Sequence, residues 1–326
     1  MVENSTSSKV SIAPMMDWTD RHCRFLMRLL SPSTQLYTEM VTAAAIVHGD
    51  SASLLRFDES EHPIALQLGG SDVSWMTEAA VAAARLGYDE ININVGCPSD
   101  RVKSGHFGAC LMACPDTVAQ CLASMQNVVD IPVTVKTRIG IDDQDSYEFL
   151  TSFIDPLVDA GCQKFVVHAR IAILDGLSPK DNRTVPSLNY KRVFRLKRDY
   201  PELDIVLNGG VESLQQVDEI LPYVDGVMIG RQAYHDPYFL AELERHLKPD
   251  YSLPERCDIV EQMILYIEQQ LDQGEKLNRI TRHMLGLFAG QPGARAWRRY
   301  LSENSYRDGA GVDVVLAALD AMPVAA

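Results

Sequence analysis

Short apolar runs alternate along the chain with longer stretches of helical periodicity. Eight runs read as strands: Val10–Pro14, Leu36–Met40, Pro63–Leu68, Glu90–Val95, Ile131–Lys136, Lys164–His168, Asp204–Leu207 and Gly226–Ile229. Between them, Trp75–Leu86 is Ala-rich, Ser146–Ala160 is amphipathic, and Tyr190–Arg198 and Ser213–Leu221 carry mixed charge. Strands alternating with helices predict a parallel sheet, and eight of them predict closure into a (β/α)8 TIM barrel. The competing open, doubly wound sheet lacks its phosphate fingerprint, because no GxGxxG follows the first strand. Past Pro249–Pro254, a proline-bearing linker, the pattern is helical over Cys257–Leu271, Ile280–Phe288 and Val312–Ala321. The predicted fold class is α/β: a TIM barrel over residues 1–247, then a small all-helical domain over 248–326.

The polar residues fall at the C-terminal ends of the strands, where barrel enzymes keep their chemistry. In order these are Pro14-Met15, Glu39-Met40, Gln67, Asn94 with Cys97, Lys136, His168, Asn208-Gly209-Gly210 and Gly230-Arg231. Lys136 in PVTVKTR and His168 in KFVVHAR interrupt otherwise apolar strands. Burying either is costly without a partner, so two on neighbouring strands point to a ligand site. The glycines after strands seven and eight fit the recurrent phosphate site of such barrels, where backbone N–H groups approach an anion closely and Arg231 adds a charge-assisted bond. A phosphate anchor, a Lys and a His at one mouth suit flavin mononucleotide (FMN). There Lys136 would steady the reduced ring and Gln67 would hydrogen-bond its rim. The same parts suit a sugar phosphate in an isomerase or aldolase, and spacing does not separate the two.

Cys97 follows the fourth strand between Gly96 and Pro98, in NVGCPSDRVKSGHFGACL. A thiol of ordinary pKa near ~8.5 is mostly protonated at neutral pH and can donate a proton. Cys110, Cys114 and Cys121 read instead as helix or core residues. The seven cysteines form no CxxC pair and suggest reduced thiols and no zinc site. The N-terminal MVENSTSSKV has no apolar core, and apolar runs such as Val41–Val47 are far shorter than a bilayer span, so a cytoplasmic location is expected.

APMMDWTDRHCR, LYTEMV, ALQLGGSD, INVGCPSDRVKSGHFGACL, VKTRIGIDDQDSYEFL, LNGG, DGVMIGR and ITRHMLGLFAG with PGARAWRRYLSE occur in that order from about Ser11 to Asn304. Together they resemble the tRNA-dihydrouridine synthases, and within them the bacterial A subgroup. The resemblance implies NADPH-driven, FMN-dependent reduction of the C5–C6 bond of D-loop uridines in tRNA, at U20 and U20a for that subgroup. It implies hydride from flavin N5 to C6 and a proton from Cys97 to C5. It places Pro14, Met15, Met16, Gln67, Lys136, His168, Asn208, Gly209, Gly210, Gly230 and Arg231 at the FMN and Asn94 near the substrate base. With no Rossmann segment, NADPH would bind transiently. Lys180 and Arg183 suit phosphate or ribose contacts. After HAR this chain departs from the family pattern of a basic residue and then an aromatic, carrying Ile171 and Ile173.

The charge distribution bears on the RNA partner. The whole chain of 326 residues carries −14, which argues against a nonspecific polyanion binder. Between Glu275 and Asp308, however, Lys276, Arg279, Arg282, Arg295, Arg298, Arg299 and Arg307 face only Glu275, Glu303 and Asp308, a local +4 that leaves −18 elsewhere. Arginine forks suit phosphate, and Arg295 and Arg298 are the leading candidates for tRNA contact. Two other readings stand beside this one. A flavin barrel acting on a free pyrimidine has no use for the basic tail, and a non-catalytic RNA-binding barrel has none for Cys97. Neither a membrane nor a metal partner is expected, and the chain is expected to be a monomer.

Overall fold

The computed structural model describes residues 9–99, 102 and 105–322. Parts of the cysteine loop (100, 101, 103 and 104) and the polar N-terminal segment up to residue 8 therefore lie outside the described residues. The chain divides into two compact units. One comprises 1–16 with 35–230, the other 17–34 with 231–326. The expected division at 247/248 differs from these units over 17–34 and 231–247.

The first unit is a (β/α)8 barrel. Its strands are β1 (Val10–Ile12), β2 (Leu36–Thr42), β3 (Ile64–Gly69), β4 (Glu90–Val95), β5 (Val133–Arg138), β6 (Lys164–His168), β7 (Asp204–Asn208) and β8 (Gly226–Ile229). All neighbours pair in parallel, in the order β1-β8-β7-β6-β5-β4-β3-β2. The circle closes through Gln35: Ile12 N–H donates to the Gln35 carbonyl at 2.9 Å, and Gln35 N–H donates to Val10 at 3.0 Å. β5 begins two residues later than the apolar pattern suggests, since Pro132 brings no N–H to a ladder. It also runs through Lys136 to Arg138, so the lysine lies within the strand rather than at its end.

Strand alternation explains how the site is placed. The barrel interior holds Ala13, Tyr37, Ala65, Val166, Val206 and Met228, with Met15 against them. Side chains two residues apart share a face, so Gln67, His168 and Asn208 sit one step above Ala65, Val166 and Val206. Register extends that interior row: Gln67 pairs Asn92, Asn92 pairs Thr134, Asn94 pairs Lys136 and Lys136 pairs Val166.

The barrel helices start where side chains can accept first-turn N–H groups. Asp72 caps Val73–Leu86, Ser146 caps Tyr147–Asp159 and Ser213 caps Leu214–Ile220. The helix Pro115–Gln126 escaped the periodicity reading; it begins with proline at its first position, after Cys114. Cys114 is exposed rather than a helix or core residue, whereas Cys121 is buried.

In the helical unit, Arg21–Leu30, Phe239–Leu247, Arg256–Asp272, Ala294–Asn304 and Val312–Asp320 are the longer helices. The expected helix over Ile280–Phe288 is not formed. A short helix, Leu277–Thr281, gives way to successive turns that still bury Ile280, Met284, Leu287 and Phe288. At Gly286 any Cβ would lie 2.2 Å from the His235 carbonyl oxygen, so the chain turns where the backbone passes closest. Asp20 caps Arg21–Leu30 and meets Arg282 at 2.5 Å and His283 at 3.0 Å. Burial would raise the Asp20 pKa, but the His283 hydrogen bond and charge, with the Cys23 N–H, hold the carboxyl well below the usual range. Among the described residues, no helix is long and apolar enough to cross a membrane.

Candidate active site

Lys136, two residues before the end of β5, comes together with His168 and Asn208, the last residues of β6 and β7. The Lys136 ammonium donates to Asn208 Oδ1 at 2.9 Å, and Asn208 Nδ2 donates to the Met228 carbonyl at 2.8 Å. Burial pushes Lys136 down to about 7; the Arg138 charge adds to that, and Cys97 opposes it. His168 is nearly buried and packs edge-on against the loop after β7. A Cβ at Gly209 would lie 2.5 Å from its Cδ2, and one at Gly210 would lie 2.5 Å from Leu188 Cδ1. Both glycines take positive φ, +110° and +71°. The Gly209 carbonyl is held by the Tyr190 hydroxyl at 2.7 Å. Bare backbone in this loop is therefore required by packing as well as by conformation. Gly230 follows β8, and a Cβ there would lie 3.7 Å from Ala13 Cβ and 3.8 Å from Met15 Sδ; Pro14 and Met15 are half-buried while Met16 is exposed. Arg231 opens the helix Arg231–His235 and is half-buried.

The cysteine loop is fixed from two sides. Asn94 Oδ1 accepts from the N–H groups of Gly96 (3.1 Å) and Cys97 (3.0 Å), and the Cys97 carbonyl accepts from Ala109 N–H at 3.0 Å. Cys97 is half-buried, with its thiol 3.5 Å from the Ser99 hydroxyl. Asn94 itself is buried and donates to Gln67 Oε1 at 2.8 Å. That holds it as the loop's anchor.

Arg138 was missed by the reading of strand ends, which stopped at Lys136. Its Nε donates to the Gly96 carbonyl at 3.1 Å, and Nη1 donates to Ile171 and Asn182, each at 3.0 Å. One buried guanidinium thus joins the cysteine loop to the loop after β6. Burial pushes it down to about 10, with Cys97 favouring its charged form and Arg183 and Arg170 opposing it. The signal was present in VKTR, where a second cation follows the lysine by two positions on the same strand face. Asn182 organises the same loop, accepting from Ile173 N–H at 2.7 Å and donating to the Ile173 carbonyl at 2.8 Å. The isoleucines at 171 and 173 therefore present backbone to Arg138 and Asn182. Lys180 and Arg183 are exposed on the same loop.

In the helical unit, Arg295, Arg298 and Arg299 are exposed on Ala294–Asn304, and i, i+3, i+4 spacing puts them on one face. Another stripe of that helix anchors it: Trp297 is fully buried, donates Nε1–H to the Met284 carbonyl at 2.9 Å and meets Phe288 edge-on, and Leu301 is buried too. Arg282, counted in the basic excess, is engaged with Asp20. Among the described residues no group of three or more His, Cys, Asp or Glu could hold a metal ion.

A parallel eight-stranded barrel with a lysine, a histidine, a glycine turn and a loop cysteine at its C-terminal end defines an enzyme of the barrel class. The chain matches the family described as Dihydrouridine synthase over residues 11–323 and belongs to that family. It is 58% identical to a tRNA-dihydrouridine(20/20a) synthase of Shewanella oneidensis over 94% of this chain and 91% of that one. The corresponding proteins of Vibrio cholerae (56%, 97% of each chain) and Escherichia coli K12 (55%, 96% and 91%) carry the same description.

Proposed function

We propose that this chain reduces uridines at positions 20 and 20a of tRNA to 5,6-dihydrouridine, using FMN and NADPH. The observation that carries the reading is the joint placement of the loop cysteine, the Lys136–Asn208 pair and the Gly209-Gly210 turn at one end of the barrel. The names of relatives that are 55–58% identical over almost the full length support the substrate.

The donor set fits FMN. Gly209 and Gly210 leave a turn free of side chains, as close approach of a phosphate to backbone N–H groups demands. Lys136, half-buried and poised to titrate near neutrality, gains from an anionic neighbour. Pro14, Met15 and Met16 would line the ring with Gln67, and His168, Asn208 and Gly230 would complete the cradle. When bound, FMN would supply the hydride for C6 of uridine, with NADPH as the source of electrons.

The chain's own residues do the rest. Cys97 donates the proton to C5, acting as general acid. Asn94 keeps the cysteine loop in place through two backbone hydrogen bonds, and Arg138 ties that loop to the one carrying Lys180 and Arg183. Lys136 would hold positive charge beside the flavin and so favour its reduced form. Lys180 and Arg183 on the barrel, and Arg295 and Arg298 on the helical unit, meet tRNA phosphates.

The test is incubation of the purified protein with unmodified tRNA, FMN and NADPH, followed by nucleoside mass spectrometry and mapping of the reduced positions. Dihydrouridine at 20 and 20a is the expected result. Equal rates on free uracil derivatives would favour a free-pyrimidine enzyme instead.

A further inference from the structure

TIM-barrel interiors are commonly filled by branched apolar side chains, but here one sector is polar from bottom to top. β4 reads Glu90-Ile91-Asn92-Ile93-Asn94-Val95, a strict alternation whose polar positions share one face. Glu90, Asn92 and Asn94 are all buried, Asn92 completely.

These side chains form one directed chain of hydrogen bonds. From the upper end, the Gly96 and Cys97 N–H groups oblige Asn94 to present its oxygen to them, so its amide nitrogen donates to Gln67 Oε1 (2.8 Å). Gln67 Nε2 then donates to Asn92 Oδ1 (2.8 Å), Asn92 Nδ2 to Thr134 Oγ1 (2.8 Å), and the Thr134 hydroxyl to Glu90 Oε1 (2.7 Å). From the lower end the same direction is forced independently. Glu90 also accepts from Tyr37 OH at 2.7 Å and Lys164 Nζ at 2.9 Å, and a carboxylate so surrounded only accepts. Thr134 must therefore donate downward and accept from Asn92. Both ends fix every amide the same way round, which settles an orientation that heavy-atom positions alone leave open.

We propose that Asn92 is a positioning residue: by accepting from Gln67 Nε2, it fixes which way round the Gln67 amide sits for bound FMN and, through Gln67, steadies the Asn94 anchor of the Cys97 loop. The proposal rests on the flavin reading above. Asn92 touches neither flavin nor substrate. What it contributes is one oxygen, the acceptor for Gln67, in a buried interior where an unsatisfied amide N–H would drive Gln67 to rearrange.

The acceptor is the separable element, and two substitutions isolate it. Asn92→Leu keeps the approximate volume and removes the acceptor. Asn92→Asp keeps the acceptor but sets a second carboxylate one hydroxyl away from Glu90, making it the more destabilising change. Two readouts are taken on the full chain: the FMN dissociation constant from flavin fluorescence, and the alkylation rate of Cys97 by iodoacetamide, resolved by peptide mass spectrometry. Melting temperatures are recorded alongside. The expected result is that Asn92→Leu weakens FMN binding at least about tenfold, the equivalent of about 1.4 kcal/mol. It should also speed Cys97 alkylation several-fold, while Asn92→Asp stays within about threefold of wild type in both despite the lower melting temperature. The proposal is overturned if Asn92→Leu behaves as wild type, or if both readouts simply follow melting temperature. A wild-type chain that binds no FMN would overturn the flavin reading with it, whereas wild-type binding with an indifferent Asn92→Leu would overturn this inference alone.

Discussion

Lys136 on β5 reaches past β6 to donate to Asn208 on β7 at 2.9 Å, its charge held in a setting that pushes its pKa down to about 7. An anionic ligand near that ammonium favours the charged form, so ligand binding takes up a proton near neutrality. FMN affinity should therefore be highest below pH 7 and fall as pH rises through about 7. Lys136→Arg, whose charge persists at high pH, should flatten that dependence. Fluorescence titrations of FMN between pH 6 and 9 check both; a flat wild-type profile would contradict the role given to Lys136.

The same burial acts on stability in the opposite sense. Without ligand, the folded chain gives up the Lys136 proton near 7, whereas the unfolded chain keeps it to about 10.4. Between those values the unfolded state binds more protons, so the contribution of Lys136 to stability rises with pH across that window and is least favourable below it. Lys136→Met should raise the melting temperature of flavin-free protein at pH 6 relative to wild type, by more than it does at pH 9. Thermal melts at the two values measure the difference.

At Gly209 a methyl group would sit 2.5 Å from His168 Cδ2 and 2.8 Å from Nε2, on a backbone with φ of +110°. Gly209→Ala should destabilise the chain by about 1–3 kcal/mol and displace His168. FMN retention after gel filtration should fall with it. Denaturant unfolding and flavin absorbance together report the two effects.

The arginines of the helical unit divide by role. Arg295 and Arg298 are exposed on a helix held by Trp297, while Arg282 is paired with Asp20. Replacing Arg295 and Arg298 by Ala should weaken tRNA binding and reduce the slope of log affinity against log salt by about two phosphate contacts, with flavin content unchanged. Arg282→Ala should lower the melting temperature and leave that slope nearly intact. Filter binding over a salt series discriminates between them.

The barrel was legible in the sequence because parallel strands buried on both faces read as short apolar runs. β4, β6 and β8 begin and end where that pattern places them. Its chemistry was legible where a polar residue broke such a run, as at Lys136 and His168. Arg138 was hidden because strand β5 continues past the lysine, and the interior chain through Asn92 and Thr134 because alternation alone does not say which face looks inward. The Ile280–Phe288 segment misled because its apolar spacing serves burial through turns, which periodicity cannot tell from a helix. The local charge count changes at one place: Arg282 counts toward the basic stretch, yet its partner Asp20 lies far away in sequence.

The most direct test of the account is a single turnover of Cys97→Ala. Protein carrying FMN is reduced by NADPH without oxygen, mixed with unmodified tRNA, and followed by flavin absorbance and by dihydrouridine in digested RNA. With Cys97 proposed to donate only the proton to C5, the variant should bind FMN and accept electrons from NADPH as wild type does, yet form dihydrouridine at least about a hundredfold more slowly. Turnover at the wild-type rate would contradict the assignment of Cys97 as the acid.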